Sequence, residues 1–225
     1  MSPPSVDERQ APLILLAHGA GAPSSSRWML AWAHRLRPLG PVVAFDYPYM
    51  KTGRKTPDRM PVLLDAHREA LAQAQREHGA QRPVVLAGKS MGGRMGCHLA
   101  VALAAEATPV AAVICFGYPL RAAGSGASRA EVLQALRTPV LFLQGSRDPL
   151  CPLDDLAAVR PTMTAPNELF VVDGGDHSLE VRKRASAAAG QSQEDWDTAL
   201  LDAIDKFLRG RGLAPGRGAE TWGQT

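Results

Sequence analysis

The sequence predicts an α/β domain built on a mostly parallel sheet with helices on both faces. Short apolar runs such as Leu13 to Ala17, Val84 to Ala87 and Val140 to Gln144 are continuous rather than alternating. Continuous runs are the pattern of strands buried on both sides. These runs alternate with amphipathic helical stretches almost throughout the chain, and each crossover must then lay a helix on the sheet. No internal repeat is visible, and 225 residues suffice for one sizeable core. In such a fold, chemistry collects at the C-terminal ends of the strands.

The elements follow in order. The first strand, Leu13 to Ala17, ends at His18-Gly19-Ala20-Gly21, and the serines at 24 to 26 offer caps for a helix carrying Met29, Trp32, Ala33 and Leu36. Pro41 to Phe45 supplies the second strand. Thr56-Pro57 opens a helical stretch with Pro61 in or near its first turn and Leu64, Leu71 and Ala74 facing inward, ending at Gly79. The third strand, from Val84, leads to a helix over 91 to 105, then to a strand from Ala111 to Phe116. Glu131 to Leu136 reads as a helix before the strand Val140 to Gln144. A short helical segment after Leu153 precedes the strand Leu169 to Val172. The last helix starts at a Ser192-x-x-Asp195 capping pattern, runs through Trp196, Leu200, Ile204 and Phe207, and stops at Gly210. One domain is expected over residues 12–210, between a flexible N-terminus, 1–11, and a flexible tail, 211–225.

The bulk numbers are those of a globular domain, with 45% hydrophobic and 21% charged residues. A formal net charge of +3 is too mild, and its basic residues too dispersed, to argue for nucleic acid. Cys97, Cys115 and Cys151 are odd in number and show no CxxC spacing, which disfavours a disulfide framework and a zinc site. A reducing cytoplasm fits best. The first twelve residues carry no basic-then-apolar signal pattern, and no apolar run approaches bilayer length, so no membrane association is expected.

Gly88-Lys89-Ser90-Met91-Gly92 writes G-x-S-x-G at the end of the third strand. In that context Ser90 is a candidate nucleophile: a sharp strand-to-helix reversal exposes its Oγ above the sheet, and the glycines stand where strand and helix crowd together. The same letters contain Gly-Lys-Ser, but a phosphate-cradling loop needs a glycine five positions before Gly88. Pro83 stands there, followed by a strand.

A serine hydroxyl needs a base, and the base needs an orienting acid. Asp148, in Gly145-Ser146-Arg147-Asp148-Pro149 just past a strand end, is the candidate acid; a simple Asp-Pro turn is the alternative. Glu168, Asp173 and Asp176 are its rivals. His177, in a flexible Gly174-Gly175-Asp176-His177-Ser178 loop, is the candidate base. The chain order Ser, acid, His matches one known arrangement of this trio. His34, His67, His78 and His98 fall at helical positions suited to surface or packing roles. Charge developing on a carbonyl oxygen needs backbone donors; Met91 N–H and Ala20 N–H are the expected pair, with Gly21 as the alternative to Ala20.

With these residues in view, the chain resembles an α/β-hydrolase of the small, capless, dienelactone-hydrolase-like type. More narrowly it resembles the family that includes a testis-expressed hydrolase-like protein and a subunit of the NSL chromatin acetyltransferase complex, with many bacterial predicted hydrolases. The matching segments are His18 to Gly21, Phe45 to Met50, Gly53-Arg54-Lys55 with Pro57, Gly88 to Arg94, Gly117-Tyr118-Pro119-Leu120 and Asp176-His177-Ser178. The resemblance implies the same roles for Ser90, Asp148 and His177. It also implies that a member can serve inside a protein complex.

The expected function is a serine hydrolase acting on a small ester or thioester, needing no metal or organic cofactor. The alternative is a catalytically silent binding or scaffold module on the same fold; perhydrolase or lyase-like chemistry is a third acyl fate that the sequence does not separate. Candidate substrate contacts are His18, Tyr47, Lys51, Lys89 and Tyr118, with Tyr49 and Met50 near them. Lys51, Arg54, Lys55 and Arg59, joined by Lys89 and Arg94, form a basic rim that would favour an anionic substrate; a solvated charged loop is the plainer reading. The oligomeric state is left open.

Overall fold

The computed structural model describes residues 11–122, 124–182 and 190–213. Six strands, β1 (Leu13–Ala17), β2 (Val42–Phe45), β3 (Val84–Lys89), β4 (Ala112–Phe116), β5 (Val140–Gly145) and β6 (Asn167–Val172), form one sheet in the order β2-β1-β3-β4-β5-β6. Every pairing is parallel. Among the described residues the α-helices are α1 (Arg27–Leu36), α2 (Pro48–Lys51), α3 (Met60–His78), α4 (Met91–Ala105), α5 (Glu131–Ala135), α6 (Leu153–Val159) and α7 (Gln193–Arg209).

Successive strand side chains point to opposite faces, and the core divides accordingly. Leu13, Leu15, Leu86, Val113 and Phe142 face α3, α4, α5 and α6. Ile14, Leu16, Val85, Ile114 and Leu143 face α1 and α7, whose Met29, Trp32, Leu36, Leu200, Ile204 and Phe207 complete that layer. Each such fully buried side chain contributes about 1.5–3 kcal/mol.

The chain leaves β1 toward β2 on one side and returns through α3 to β3 on the other, so the strand order reverses between β1 and β3. Loops leaving neighbouring strands in opposite directions open a crevice at that point. The register pairs Ala17 with Gly88, Lys89 with Phe116, Phe116 with Leu143 and Gly145 with Val172. His18, Ser90, Gly117, Ser146 and Asp173 therefore begin the loops of a single rim.

Several expected boundaries move. Ser26 is the N-cap of α1, but its side chain makes no capping bond; Ser24 instead donates its N–H to Asp46 at 2.6 Å. The third helix starts at Met60 rather than at Thr56-Pro57, because Asp58 accepts from Tyr49 N–H at 2.9 Å and pairs with Arg54 at 2.7 Å, holding the preceding loop. Its buried stripe is Leu63, His67, Leu71 and Ala74, spaced by four, four and three residues as one helical face requires. At α7 the expected capping box forms: Ser192 accepts from Asp195 N–H and the Asp195 carboxylate accepts from Ser192 N–H. Its end differs, since Gly210 is right-handed and Gly212, at φ +68°, is the left-handed residue. Leu213 N–H donates to Leu208 O and Gly212 N–H to Arg209 O, both at 3.0 Å. This is a Schellman closure sealed by Leu213 against Leu208. The packed chain thus reaches Leu213, beyond the expected limit at 210. The remainder of the two expected flexible ends, 1–10 and 214–225, lies outside the described residues.

No helix among the described residues is long and apolar enough to cross a membrane.

Candidate active site

Ser90 sits between β3 and α4 at φ 51°, ψ −116°, a conformation that non-glycine residues adopt only where the surroundings hold them. The surroundings here are very tight. A Cβ at Gly88 would stand 2.4 Å from the Gly92 carbonyl carbon, and one at Gly92 would stand 2.3 Å from Ala17 O. Both glycines are steric necessities of the turn. The turn is also tied to the sheet, with Ser90 N–H donating to Phe116 O at 2.9 Å.

From this turn a continuous hydrogen-bonded series runs into the sheet. His177 Nε2 lies 2.7 Å from Ser90 Oγ, and His177 Nδ1 lies 2.7 Å from Asp148 Oδ2. The Asp148 side chain is completely buried, while the His177 ring retains 24% of its exposure. Asp148 also accepts from Leu150 N–H at 2.8 Å and from the Gln144 side-chain amide. Gln144 in turn accepts from Tyr118 N–H at 3.0 Å. A fully buried glutamine inside an apolar strand, four residues before an aspartate, was the available sequence signal for this partner.

The rival acids are engaged elsewhere. Asp173 accepts from Ser146 Oγ at 2.9 Å. Asp176 accepts from Ser178 N–H and Glu180 N–H, closing a turn. Glu168 pairs with Arg211.

The loop that carries His177 reads as flexible in sequence, yet it is bonded at many points. Arg147 N–H donates to Gly175 O, Gly174 N–H to Ser146 Oγ, and Asp176 N–H to Glu180 O. Trp28 Nε1 donates to Ser178 O at 3.1 Å, and Lys89 Nζ donates to Ser178 Oγ at 2.7 Å while resting 4.6 Å from the centre of the Trp28 ring. Burial pushes the Lys89 ammonium below its usual range. Lys89 lines an open cleft between α1 and the histidine loop, as expected of a substrate contact, but its ammonium holds that loop.

Other expected substrate contacts are corrected. His18 is fully buried: its Nδ1–H donates to Gly19 O at 2.6 Å and its Nε2 accepts from Tyr47 N–H at 3.1 Å. These two bonds define the neutral ring. Burial lowers its basicity and outweighs both the Gly19 bond and Asp46, 3.7 Å away. Tyr47 is buried against His18, Phe45 and His67. Tyr118 is buried against Phe142 and donates to Arg129 O at 3.1 Å. Tyr49 is likewise buried and donates to Ala20 O at 3.0 Å. Aromatic rings just past strand ends serve here as packing under the rim, because the loops fold back over them. Lys51 is exposed and lines neither cleft, and Arg54 is neutralised by Asp58. The expected basic rim therefore does not gather at Ser90, apart from Lys89 and Arg94.

Ser90, Ala20 and Leu150 stand where two depressions meet. One is an open cleft of about 1350 Å³ between α1, the His177 loop and the start of α7. The other, of about 300 Å³, is lined by Pro57, Leu63, Met91, Arg94, Pro119 and Arg129 among others. Among the described residues of 117–139, between β4 and β5, the one α-helix is the five-residue α5. Met91 begins α4, so its N–H has no intrahelical partner. Ala20 follows Gly19, where a Cβ would lie 3.6 Å from Ser90 Cβ. Both expected oxyanion residues thus border Ser90.

Among the described residues, no three His, Cys, Asp or Glu side chains converge as a metal-binding group. Cys97 and Cys115 Sγ are 3.8 Å apart, and all three cysteines are free and buried.

Residues 10–209 match the family model described as Alpha/beta hydrolase domain. Among solved structures, the chain is similar to an alpha-beta serine hydrolase homologue from Coxiella burnetii, with 19% identity over 89% of this chain and 85% of that one, at a TM-score of 0.64. It is similar to dienelactone hydrolase from Anabaena variabilis, with 16% identity over 89% and 87% of the two chains and a TM-score of 0.63. Thermogutta terrifontis esterase 2 phosphorylated by paraoxon gives 16% identity over 94% and 86%, with a TM-score of 0.68. At these identities the likeness is one of fold.

Proposed function

We infer that this chain, which belongs to the α/β-hydrolase domain family, is a serine hydrolase that opens a small ester or thioester through an acyl-enzyme on Ser90. The observation that carries the reading is the unbroken series Ser90 Oγ, His177, Asp148, with two contacts of 2.7 Å. Ser90 Oγ attacks the carbonyl carbon while His177 Nε2 takes its proton. Asp148 Oδ2 holds the Nδ1–H, keeping the other nitrogen free to accept, and its charge stabilises the imidazolium that forms. The carbonyl oxygen, now negative, is received by the N–H groups of Met91 and Ala20, the first of them at the positive end of α4. His177 then returns its proton to the departing alcohol or thiol. A water repeats the sequence on the acyl-enzyme, giving a carboxylic acid and free Ser90.

The Gly88 to Arg94 segment, with Lys89 and Arg94, supports a place near the testis-expressed hydrolase-like family. Three free thiols support a reducing compartment.

The test is labelling with a fluorophosphonate probe, followed by a panel of short acyl esters and thioesters. Wild type is expected to label and turn over, and Ser90→Ala to do neither. A wild type that never labels, or a Ser90→Ala variant that labels equally, overturns the reading.

A further inference from the structure

Two arginines, Arg94 and Arg129, line the smaller depression, and neither belongs to any ion pair among the described residues. Arg94 Nε is buried and has no hydrogen-bond acceptor; its Nη1 approaches His98 Nε2 at 3.5 Å. Asp58 also lines the depression, but its carboxylate is already taken by Arg54 at 2.7 Å and by Tyr49 N–H at 2.9 Å. The remaining walls, Pro57, Leu63, Met91 and Pro119, are apolar. A buried charged donor left unpaired is costly, and two like charges side by side add to that cost. Burial first, and then the neighbouring Arg129, push the Arg94 guanidinium below its usual range. An anion bound between them would offset the like-charge repulsion, and the planar fork of arginine is shaped for a carboxylate.

The size of the depression, which Ser90 also lines, limits the length of the ligand. Ser90 and Arg94 line the same depression, and Arg94 N–H donates to Ser90 O at 3.1 Å, so Arg94 lies in the first turn of the helix that follows Ser90. The depression, about 300 Å³, suits a short chain.

We propose that Arg94 and Arg129 form an anion subsite that selects short acyl esters or thioesters bearing a terminal carboxylate. The proposal rests on Ser90 being the reacting residue. Arg94 and Arg129 bind and orient the far end of the substrate, and are not involved in proton transfer.

The experiment compares the p-nitrophenyl monoester of glutaric acid with the p-nitrophenyl ester of pentanoic acid, which has the same chain length and no charge. Wild type is expected to favour the glutarate ester by about tenfold or more in kcat/KM, with the preference shrinking as salt rises. Arg129→Gln, on a loop outside the elbow, should abolish the preference while leaving the pentanoate ester within about twofold. Equal wild-type efficiency on both esters, or equal loss on both in Arg129→Gln, overturns the subsite and leaves the hydrolase reading standing. A second measurement is independent of turnover: calorimetric titration of Ser90→Ala with the p-nitroanilides of glutaric and pentanoic acids. Tighter binding of the glutarate compound that Arg129→Gln removes supports the subsite even if no ester is hydrolysed; equal binding overturns it.

Discussion

Gly117 lies directly beneath His177: a methyl group added at residue 117 would come within 2.4 Å of the His177 carbonyl oxygen, and the residue has φ +64°. The end of β4 is therefore the seat on which the histidine loop rests. Gly145, at the end of β5, supports the preceding residue of that loop in the same way, since a Cβ there would stand 2.3 Å from Asp176 O. Gly117→Ala is expected to lift the imidazole away from Ser90. Because sub-ångström placement governs proton transfer, kcat/KM should fall by about a hundredfold. Left-handed strain should cost about 1–2 kcal/mol of stability. Ester kinetics and thermal melting of the variant check this, and unchanged turnover would refute it.

The distinct surroundings of the two candidate acids separate their mutational effects. Asp148→Asn should lower kcat by about 10⁴-fold, because an amide holds the wrong tautomer of His177. Asp173→Asn touches only the Ser146 hydroxyl and should stay within a few fold. Parallel ester assays decide the matter; equal small losses would remove Asp148 from the role.

Gln144 bridges Tyr118 N–H and the Asp148 carboxylate inside the sheet. Gln144→Leu would leave a buried N–H and a buried carboxylate each short of a partner, at about 1–3 kcal/mol of stability. Activity should fall between tenfold and roughly a hundredfold through loosening of His177, with KM little changed. Urea denaturation together with steady-state kinetics tests both effects.

His67 is fully buried against Phe45 and Tyr47, with Nδ1 3.2 Å from Tyr47 Oη. Burial pushes its pKa down to about 3. The unfolded chain, with an ordinary imidazole near 6.5, binds this proton more readily, so folding stability is full above about 6.5 and declines as pH falls toward 3. The slope from one such group approaches about 1.4 kcal/mol per pH unit. His18 and His98, also lowered by burial, add in the same direction. His67→Leu should flatten the acid side of the stability curve by about one proton, as chemical denaturation between pH 4 and 7 would measure.

Much of this protein was legible from local rules. Continuous apolar runs announced the buried parallel strands, and Ser192-x-x-Asp195 announced a helix start, because both patterns express interactions between residues close in sequence. Ser90 was legible for the same reason: its elbow is a local device of glycines around a strained residue. The order of Asp148 and His177 along the chain narrowed their roles, but their contacts with one another and with Ser90 span 29 and 87 positions.

What local patterns do not encode is which way a side chain turns once distant loops close over it. His18, Tyr47 and Tyr118 follow strand ends just as Ser90 does, yet loops fold over them and make them packing and hydrogen-bonding groups. Gln144, Gly117 and Gly145 look ordinary in one dimension, and become supports of the site only where β4 and β5 meet the histidine loop. Arg94 and Arg129 are 35 positions apart in the chain and share a depression only after the loop following β4 packs beside α4. The sequence by itself determined the layered sheet and the setting of Ser90, which depend on periodicity and short-range sterics. Tertiary structure alone decided which polar groups reach the cleft and which are buried, because burial is a property of the whole packed chain.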